Sequence, residues 1–172
     1  MTDPVELFYV DEGPRDAPVL VLSGSLGSTV EMWRPQVAAL AGRFRIVRFD
    51  HRGHGRSPVP QGPYRIADLA GDALALLDRL GLGRVAWCGL SMGGMVGMYL
   101  GSEAPQRLTS LVLCCTTAHF PDPAPWRERI ASVAAGGTDS IADAVVARWF
   151  TPDWAAAHPD VVAECRGMVA GT

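Results

Sequence analysis

The chain has 172 residues, 48% of them hydrophobic and 19% charged. That balance suits one compact domain with a sizeable core and does not read as disordered. Its 15 basic and 18 acidic residues leave a formal charge of −3 with neither sign clustered, so neither nucleic acid nor an anionic membrane surface is expected as a partner. No apolar run approaches the ~20 residues that span a bilayer. Met1-Thr2-Asp3-Pro4 places no basic segment ahead of an apolar one, and a cytoplasmic location is expected.

The elements follow in order. Residues 5–10 alternate loosely and predict a first strand. Pro18-Val19-Leu20-Val21-Leu22, ending at Ser23-Gly24, is a continuous apolar run of the kind that suits a strand buried on both faces. Residues 32–40 carry apolar positions at helical spacing and stop at Gly42, and residues 44–50 predict another strand. Ile66, Leu69, Ala70, Ala73, Leu74, Leu77 and Leu80 form one helical stripe closed by Gly81. Residues 84–88 are the next strand, 95–100 an apolar helical run, and 108–115 one more buried strand. Alternating strand and helix predicts an α/β fold: a mostly parallel sheet flanked by helices, with reactive groups at the carboxyl ends of its strands. The character changes at Pro121-Asp122-Pro123-Ala124-Pro125. Beyond it residues 126–135, 140–150 and 154–169 all predict helix, so residues 1–120 are expected to form the core and 121–172 a helical cap segment. No internal repeat or low-complexity tract interrupts this order.

Cys88-Gly89-Leu90-Ser91-Met92-Gly93-Gly94 joins a strand to a helix. A G-x-S-x-G turn in that setting holds its serine in strained backbone geometry, and glycine two residues before and two after lets neighbouring backbone pass close. Ser91 is therefore the candidate nucleophile. A serine hydroxyl needs a base within hydrogen-bond reach and a pair of donors for the oxyanion it creates.

Other chemistries find less support. Neither glycine-rich stretch fits a dinucleotide or P-loop fingerprint. His51 and His54 lack a third ligand at suitable spacing, so no metal is expected. Cys88, Cys114 and Cys115 lie in strand-like runs and Cys165 in a helical one. All four read as small buried hydrophobes.

Four stretches together resemble the α/β-hydrolase superfamily, and more narrowly the 3-oxoadipate enol-lactonases of aromatic catabolism. They are Leu22-Ser23-Gly24-Ser25-Leu26-Gly27-Ser28 with Met32-Trp33; Asp50-His51-Arg52-Gly53-His54-Gly55-Arg56-Ser57; Gly89-Leu90-Ser91-Met92-Gly93-Gly94; and Trp149-Phe150-Thr151-Pro152 with His158-Pro159. The elbow and the D-x-R-G-x-G-x-S loop belong to the superfamily at large. Ser23-Gly24-Ser25-Leu26-Gly27 and the cap sequence from Trp126 point to the lactonase branch. The resemblance covers essentially all of this chain but about the first two thirds of a family member, so the last strands of the fold and the triad acid and histidine are not found in it. Asp122, just past the last strand, and His158 could supply them on paper. However, His158 lies in Ala155-Ala156-Ala157-His158-Pro159, a helical cap segment with no strand-end loop to aim it.

What the resemblance implies is a serine hydrolase that opens 3-oxoadipate enol-lactone without a cofactor. Ser91 would be the nucleophile, with the backbone N–H groups of Met92 and Ser25 forming the oxyanion hole and Leu26 beside them. The substrate carries a carboxylate; Arg129, in the Trp126-Arg127-Glu128-Arg129 start of the cap, would grip it and Trp126 would form an apolar wall. Asp50 and Arg52 would lock their loop by charge-assisted hydrogen bonds. An esterase or perhydrolase-like activity shares the Ser-Met-Gly-Gly turn. A different class of reading is a non-catalytic module: residues 108–115 would be an exposed sheet edge, open to self-association or to pairing with a partner.

Overall fold

The computed structural model describes residues 2–172. The first compact unit runs to Ala118 and the second is His119–Thr172. In the first, strands β1 (Tyr9–Glu12), β2 (Val19–Ser23), β3 (Arg45–Phe49), β4 (Val85–Leu90) and β5 (Leu108–Cys114) alternate with helices α1 (Arg34–Leu40), α2 (Ile66–Arg79) and α3 (Met92–Glu103). Strand order in the sheet is β1-β3-β2-β4-β5. β3, β2, β4 and β5 run parallel, and β1 adds antiparallel to β3. A helix between successive strands returns the chain to the same end of the sheet, which is why the four pair in parallel.

The side-chain period of two splits the strands between two cores. Val21, Val47, Phe49, Val85 and Trp87 pack with Leu69, Ala73, Leu77, Val96 and Leu100 of α2 and α3. Leu20, Leu22 and Ile46 face the other way, onto Trp33, Val37 and Leu40 around α1. β2 is thus buried on both faces, as its unbroken apolar run predicts.

Several expectations are corrected. The first strand begins at Tyr9, not at residue 5, because the backbone before it is satisfied by side chains: Val5 N–H donates to Asp72 Oδ1 at 2.8 Å and Phe8 N–H to Ser57 Oγ at 2.9 Å. β5 is not fully buried, since Val112 is 51% and Leu113 42% exposed. The cysteines are all free; Cys115 is exposed and the other three half-buried, so none is a fully buried hydrophobe.

The second unit is helical throughout, with α4 (Ala124–Gly136), α5 (Asp139–Val146), α6 (Pro152–Ala157) and α7 (Pro159–Ala170). Ala142, Val145, Val146 and Val169 form its core. α5 stops at Val146, short of residue 150. The single helix expected over 154–169 is two, broken at His158 (φ −133°, ψ 56°), where Pro159 removes a donor and pushes the preceding residue out of helical geometry. Among the described residues no helix is long and apolar enough to cross a membrane.

Candidate active site

Ser91 stands between β4 and α3 with φ 53° and ψ −112°. A left-handed backbone at a non-glycine residue is costly and persists only where its surroundings enforce it. Here they do. Ser91 N–H donates to the Cys114 carbonyl of β5 at 2.9 Å, and Ser91 C=O accepts from Met95 N–H at 3.0 Å and from Thr116 Oγ1 at 2.8 Å. A methyl group on Gly89 would run into the Gly93 carbonyl, and one on Gly93 into the Ser23 carbonyl. The two glycines are thus fixed by close backbone approach. Trp87 Nε1 donates to Gly93 O at 3.1 Å and ties the turn to the core beneath it.

The candidate oxyanion donors lie in the same packing. Helix α3 begins at Met92, whose N–H, like those of any first helical turn, has no intrahelical acceptor. No hydrogen bond among the described residues engages it. Gly93 N–H donates to Gly24 O at 3.0 Å, fastening the start of the glycine loop to the first turn of α3. The loop then turns tightly. Ser25 O accepts both Ser28 N–H (3.2 Å) and Ser28 Oγ (2.8 Å), Gly27 adopts φ 77°, Ser25 is buried and Leu26 is exposed. Ser91 Oγ has no hydrogen-bond partner among the described residues.

The Asp50–Ser57 loop braces this corner. Asp50 accepts Val30 N–H at 2.6 Å and Arg56 N–H at 2.9 Å. Arg52 takes a different carboxylate from any in its own loop: Asp72 of α2, in a fork of 2.5 and 2.6 Å, with both side chains 1% exposed. His54 Nε2 lies 3.0 Å from Gly27 N–H and its Nδ1 3.1 Å from Arg52 O; His51 Nε2 lies 3.1 Å from Ser23 Oγ. Burial, reinforced by the neighbouring His54, pushes the His51 pKa down to about 3. Burial also lowers that of His54, against the opposing pull of Arg52 O and Asp50. Both rings are therefore neutral at physiological pH. Among the described residues no group of three or more His, Cys, Asp or Glu side chains could hold a metal ion.

In the second unit Trp126 and Arg129 share one face of α4, with the guanidinium 4.7 Å from the indole centroid and Phe120 edge-on to Trp126 at 5.2 Å. Burial, and then the nearby Arg148, lower the pKa of Arg129, which has no ion-pair partner among the described residues. Arg148 was not singled out in the sequence, where nothing in the spacing of 129 and 148 brings them together. The same holds for Thr116, 25 residues from the serine whose carbonyl it holds. Asp122 Oδ1 accepts the N–H of Ala124, the first residue of α4, at 2.9 Å. His158 is exposed, bonded through Nδ1 to Trp154 O at 2.9 Å and stacked on the Trp154 ring at 4.1 Å. Each is engaged within its own segment.

A strained serine between a parallel strand and a glycine-bearing helix, beside a glycine loop from the neighbouring strand, defines the hydrolase class built on an α/β sheet. The chain belongs to the alpha/beta hydrolase fold family, whose model matches residues 17–161. It is 37% identical over 158 residues to 3-oxoadipate enol-lactonase 2 of Acinetobacter baylyi, covering 92% of this chain and 59% of that relative. Similarity extends to RutD of Variovorax paradoxus, named for carbamate hydrolysis, at 34% identity over 92% of this chain and 61% of the relative. Among solved structures, the enol-lactonase from Burkholderia xenovorans LB400 superposes with a TM-score of 0.93 at 44% identity, over 96% of this chain and 65% of that one. A thermophilic esterase from Thermogutta terrifontis gives 0.87 at 32%, over 96% and 62%. The chain thus spans about three fifths of the length of the curated relatives it matches over most of its own.

Proposed function

We propose that this chain is the nucleophile-bearing part of a serine hydrolase of the enol-lactonase type, whose substrate is 3-oxoadipate enol-lactone. The observation that carries the reading is the backbone of Ser91: a φ of 53° held by hydrogen bonds on both sides, next to the Met92 N–H at the start of α3. On this reading the hydroxyl attacks beside two amide donors, those of Met92 and Ser25, which receive the charge that develops on the carbonyl oxygen. Likeness to two enol-lactonases at 37% and 44% identity supports the substrate class.

In this mechanism Ser91 Oγ attacks the lactone carbonyl and its proton passes to a general base. The ring C–O bond breaks with the enolate as leaving group, and water then hydrolyses the acyl-enzyme. The enolate takes up a proton and tautomerises to the ketone of 3-oxoadipate. Arg129 is assigned to the substrate carboxylate, since a guanidinium with no carboxylate partner among the described residues grips such a group with two parallel N–H donors, and Trp126 is assigned to the apolar wall. In the family order the triad acid and histidine follow the cap. The groups of this chain supply the nucleophile and the oxyanion donors, which alone can retain ~10³–10⁴-fold catalysis over water.

Labelling with a fluorophosphonate tests the reading directly: Ser91 Oγ attacks phosphorus and fluoride leaves. An adduct on Ser91 that the Ser91→Ala variant lacks supports an activated hydroxyl, and its absence counts against one. A panel of enol-lactone, simple esters and a carbamate then separates the lactonase from the esterase, perhydrolase-like and carbamate-hydrolase alternatives.

The exposed apolar side chains of β5 favour a second reading, in which this chain is a non-catalytic module that pairs with a second copy through its sheet edge. Val112 and Leu113, on opposite faces of one strand, are 51% and 42% exposed.

A further inference from the structure

His51 and His54 are buried imidazoles that the proposed mechanism does not use. They sit side by side, ring centroids 6.2 Å apart, in the loop that braces the glycine turn. His54 is 7% exposed and makes two hydrogen bonds with backbone groups of opposite character. Gly27 can only donate, through its N–H, to Nε2 at 3.0 Å; Arg52 can only accept, through its carbonyl, from Nδ1 at 3.1 Å. One protonation state satisfies both: the neutral ring with the proton on Nδ1.

We infer that His54 is a positioning residue for the oxyanion loop, holding Gly27 through Nε2 and thereby setting where the Ser25 N–H points. The inference rests on the proposed role of Ser25 as an oxyanion donor. Gly27 lies two residues beyond Ser25, inside the turn closed by the Ser28 N–H to Ser25 O bond. The other end of the loop is clamped at Gly24 by Gly93 N–H. Beyond the turn the next hold is Val30 N–H on Asp50 Oδ1 at 2.6 Å, so without His54 the segment between Gly24 and Val30 loses the side chain of the bracing loop that grips the turn itself. The anchor on the far side of the ring is firm as well. Arg52, whose carbonyl accepts the Nδ1–H hydrogen bond, is itself fixed by the buried fork to Asp72. A preorganised donor costs no reorganisation when the oxyanion forms, and a loosened one loses part of that advantage.

Protonation of His54 would reverse the device, because an imidazolium has two donors and no acceptor for the Gly27 N–H. The groups that face the ring are the Asp50 carboxylate, the His51 imidazole and the Arg52 carbonyl. The 24–28 segment brings only amides and the hydroxyls of Ser25 and Ser28. Asp50 favours the charged ring; burial opposes it more strongly and keeps the holding state populated at neutral pH.

Two variants separate the hydrogen bond from bulk. In His54→Gln the side-chain carbonyl reaches the position of Nε2 and keeps an acceptor for Gly27; in His54→Asn the shorter amide does not reach. Long-range proton–nitrogen correlation spectra of the intact chain are expected to show the Nδ1–H tautomer. The Gly27 amide should shift with the His54 protonation midpoint, and should exchange with solvent faster in His54→Asn than in His54→Gln. Fluorophosphonate labelling of Ser91 should fall on the order of tenfold in His54→Asn, stay within about twofold of the parent in His54→Gln, and fall in the parent as His54 protonates. A proton on Nε2, a Gly27 amide blind to His54, or equal labelling of the two variants would overturn the inference. Should the parent itself take no label, the hydrolase reading fails, and the tautomer and the Gly27 amide still decide the question of His54.

Discussion

The amide of Gly93 donates to the carbonyl oxygen of Gly24 at 3.0 Å, joining the first turn of α3 to the loop that leaves β2. Two segments almost 70 residues apart in sequence, one carrying the candidate nucleophile and one a candidate oxyanion donor, are thus held as one rigid corner.

Gly93→Ala should break that corner. The added methyl meets the Ser23 carbonyl, which is backbone and cannot turn aside. A loss of about 1–3 kcal/mol is expected from overpacking. It is read from urea denaturation, together with loss of Ser91 labelling.

The strain at Ser91 has its own signature. A φ of 53° costs a side chain of order 1–3 kcal/mol, most of which glycine avoids. Ser91→Gly should therefore be more stable than Ser91→Ala by about 1 kcal/mol, although neither can be labelled. Equal melting temperatures would mean that the turn relaxes.

Breaking the Arg52–Asp72 fork should cost more than any surface substitution. Both side chains are 1% exposed, and Asp72 also accepts the Val5 N–H. Asp72→Ala should lower stability by about 3–5 kcal/mol by leaving a buried guanidinium unpaired, and adding Arg52→Met should recover part of that loss. The denaturation midpoints of the single and double variants decide.

Acid should weaken the fold before the carboxylates titrate. In the folded chain His51 stays neutral down to about pH 3, because burial penalises the imidazolium. Once unfolded, it takes up a proton below its ordinary pKa of about 6.5. The unfolded state thus binds more protons between those values, and stability falls as pH falls, by about 1.4 kcal/mol per pH unit for this group. His54, its pKa lowered chiefly by burial, acts in the same direction. Denaturation midpoints between pH 7 and pH 4.5 check the slope, which His51→Asn should flatten.

If the second reading holds, Val112→Lys with Leu113→Lys should shift sedimentation toward the monomer. A parent that already sediments as a clean monomer would remove that reading.

The strand–helix alternation, the doubly buried β2 and the turn at Ser91 were legible in the residues. Each depends on local spacing: an unbroken apolar run, a 3.6-residue stripe, two glycines flanking one serine. The first strand was misplaced because Val5 and Phe8 find their acceptors on Asp72 and Ser57, far along the chain, and no local pattern carries that information. The break at His158 was missed although Pro159, which disfavours helical geometry in the residue before it, stood in plain view.

From its sequence alone, then, this protein has its element types, its membership in a two-sided α/β architecture and its candidate nucleophile, because backbone periodicity and glycine sterics act over a few residues. Tertiary structure alone decided which carboxylate Arg52 takes, that Thr116 and Cys114 hold Ser91, and that His54 reaches the amide of Gly27. Those pairings are set by how the helices and loops stack on the sheet, and stacking brings together residues whose separation along the chain says nothing of their distance in space.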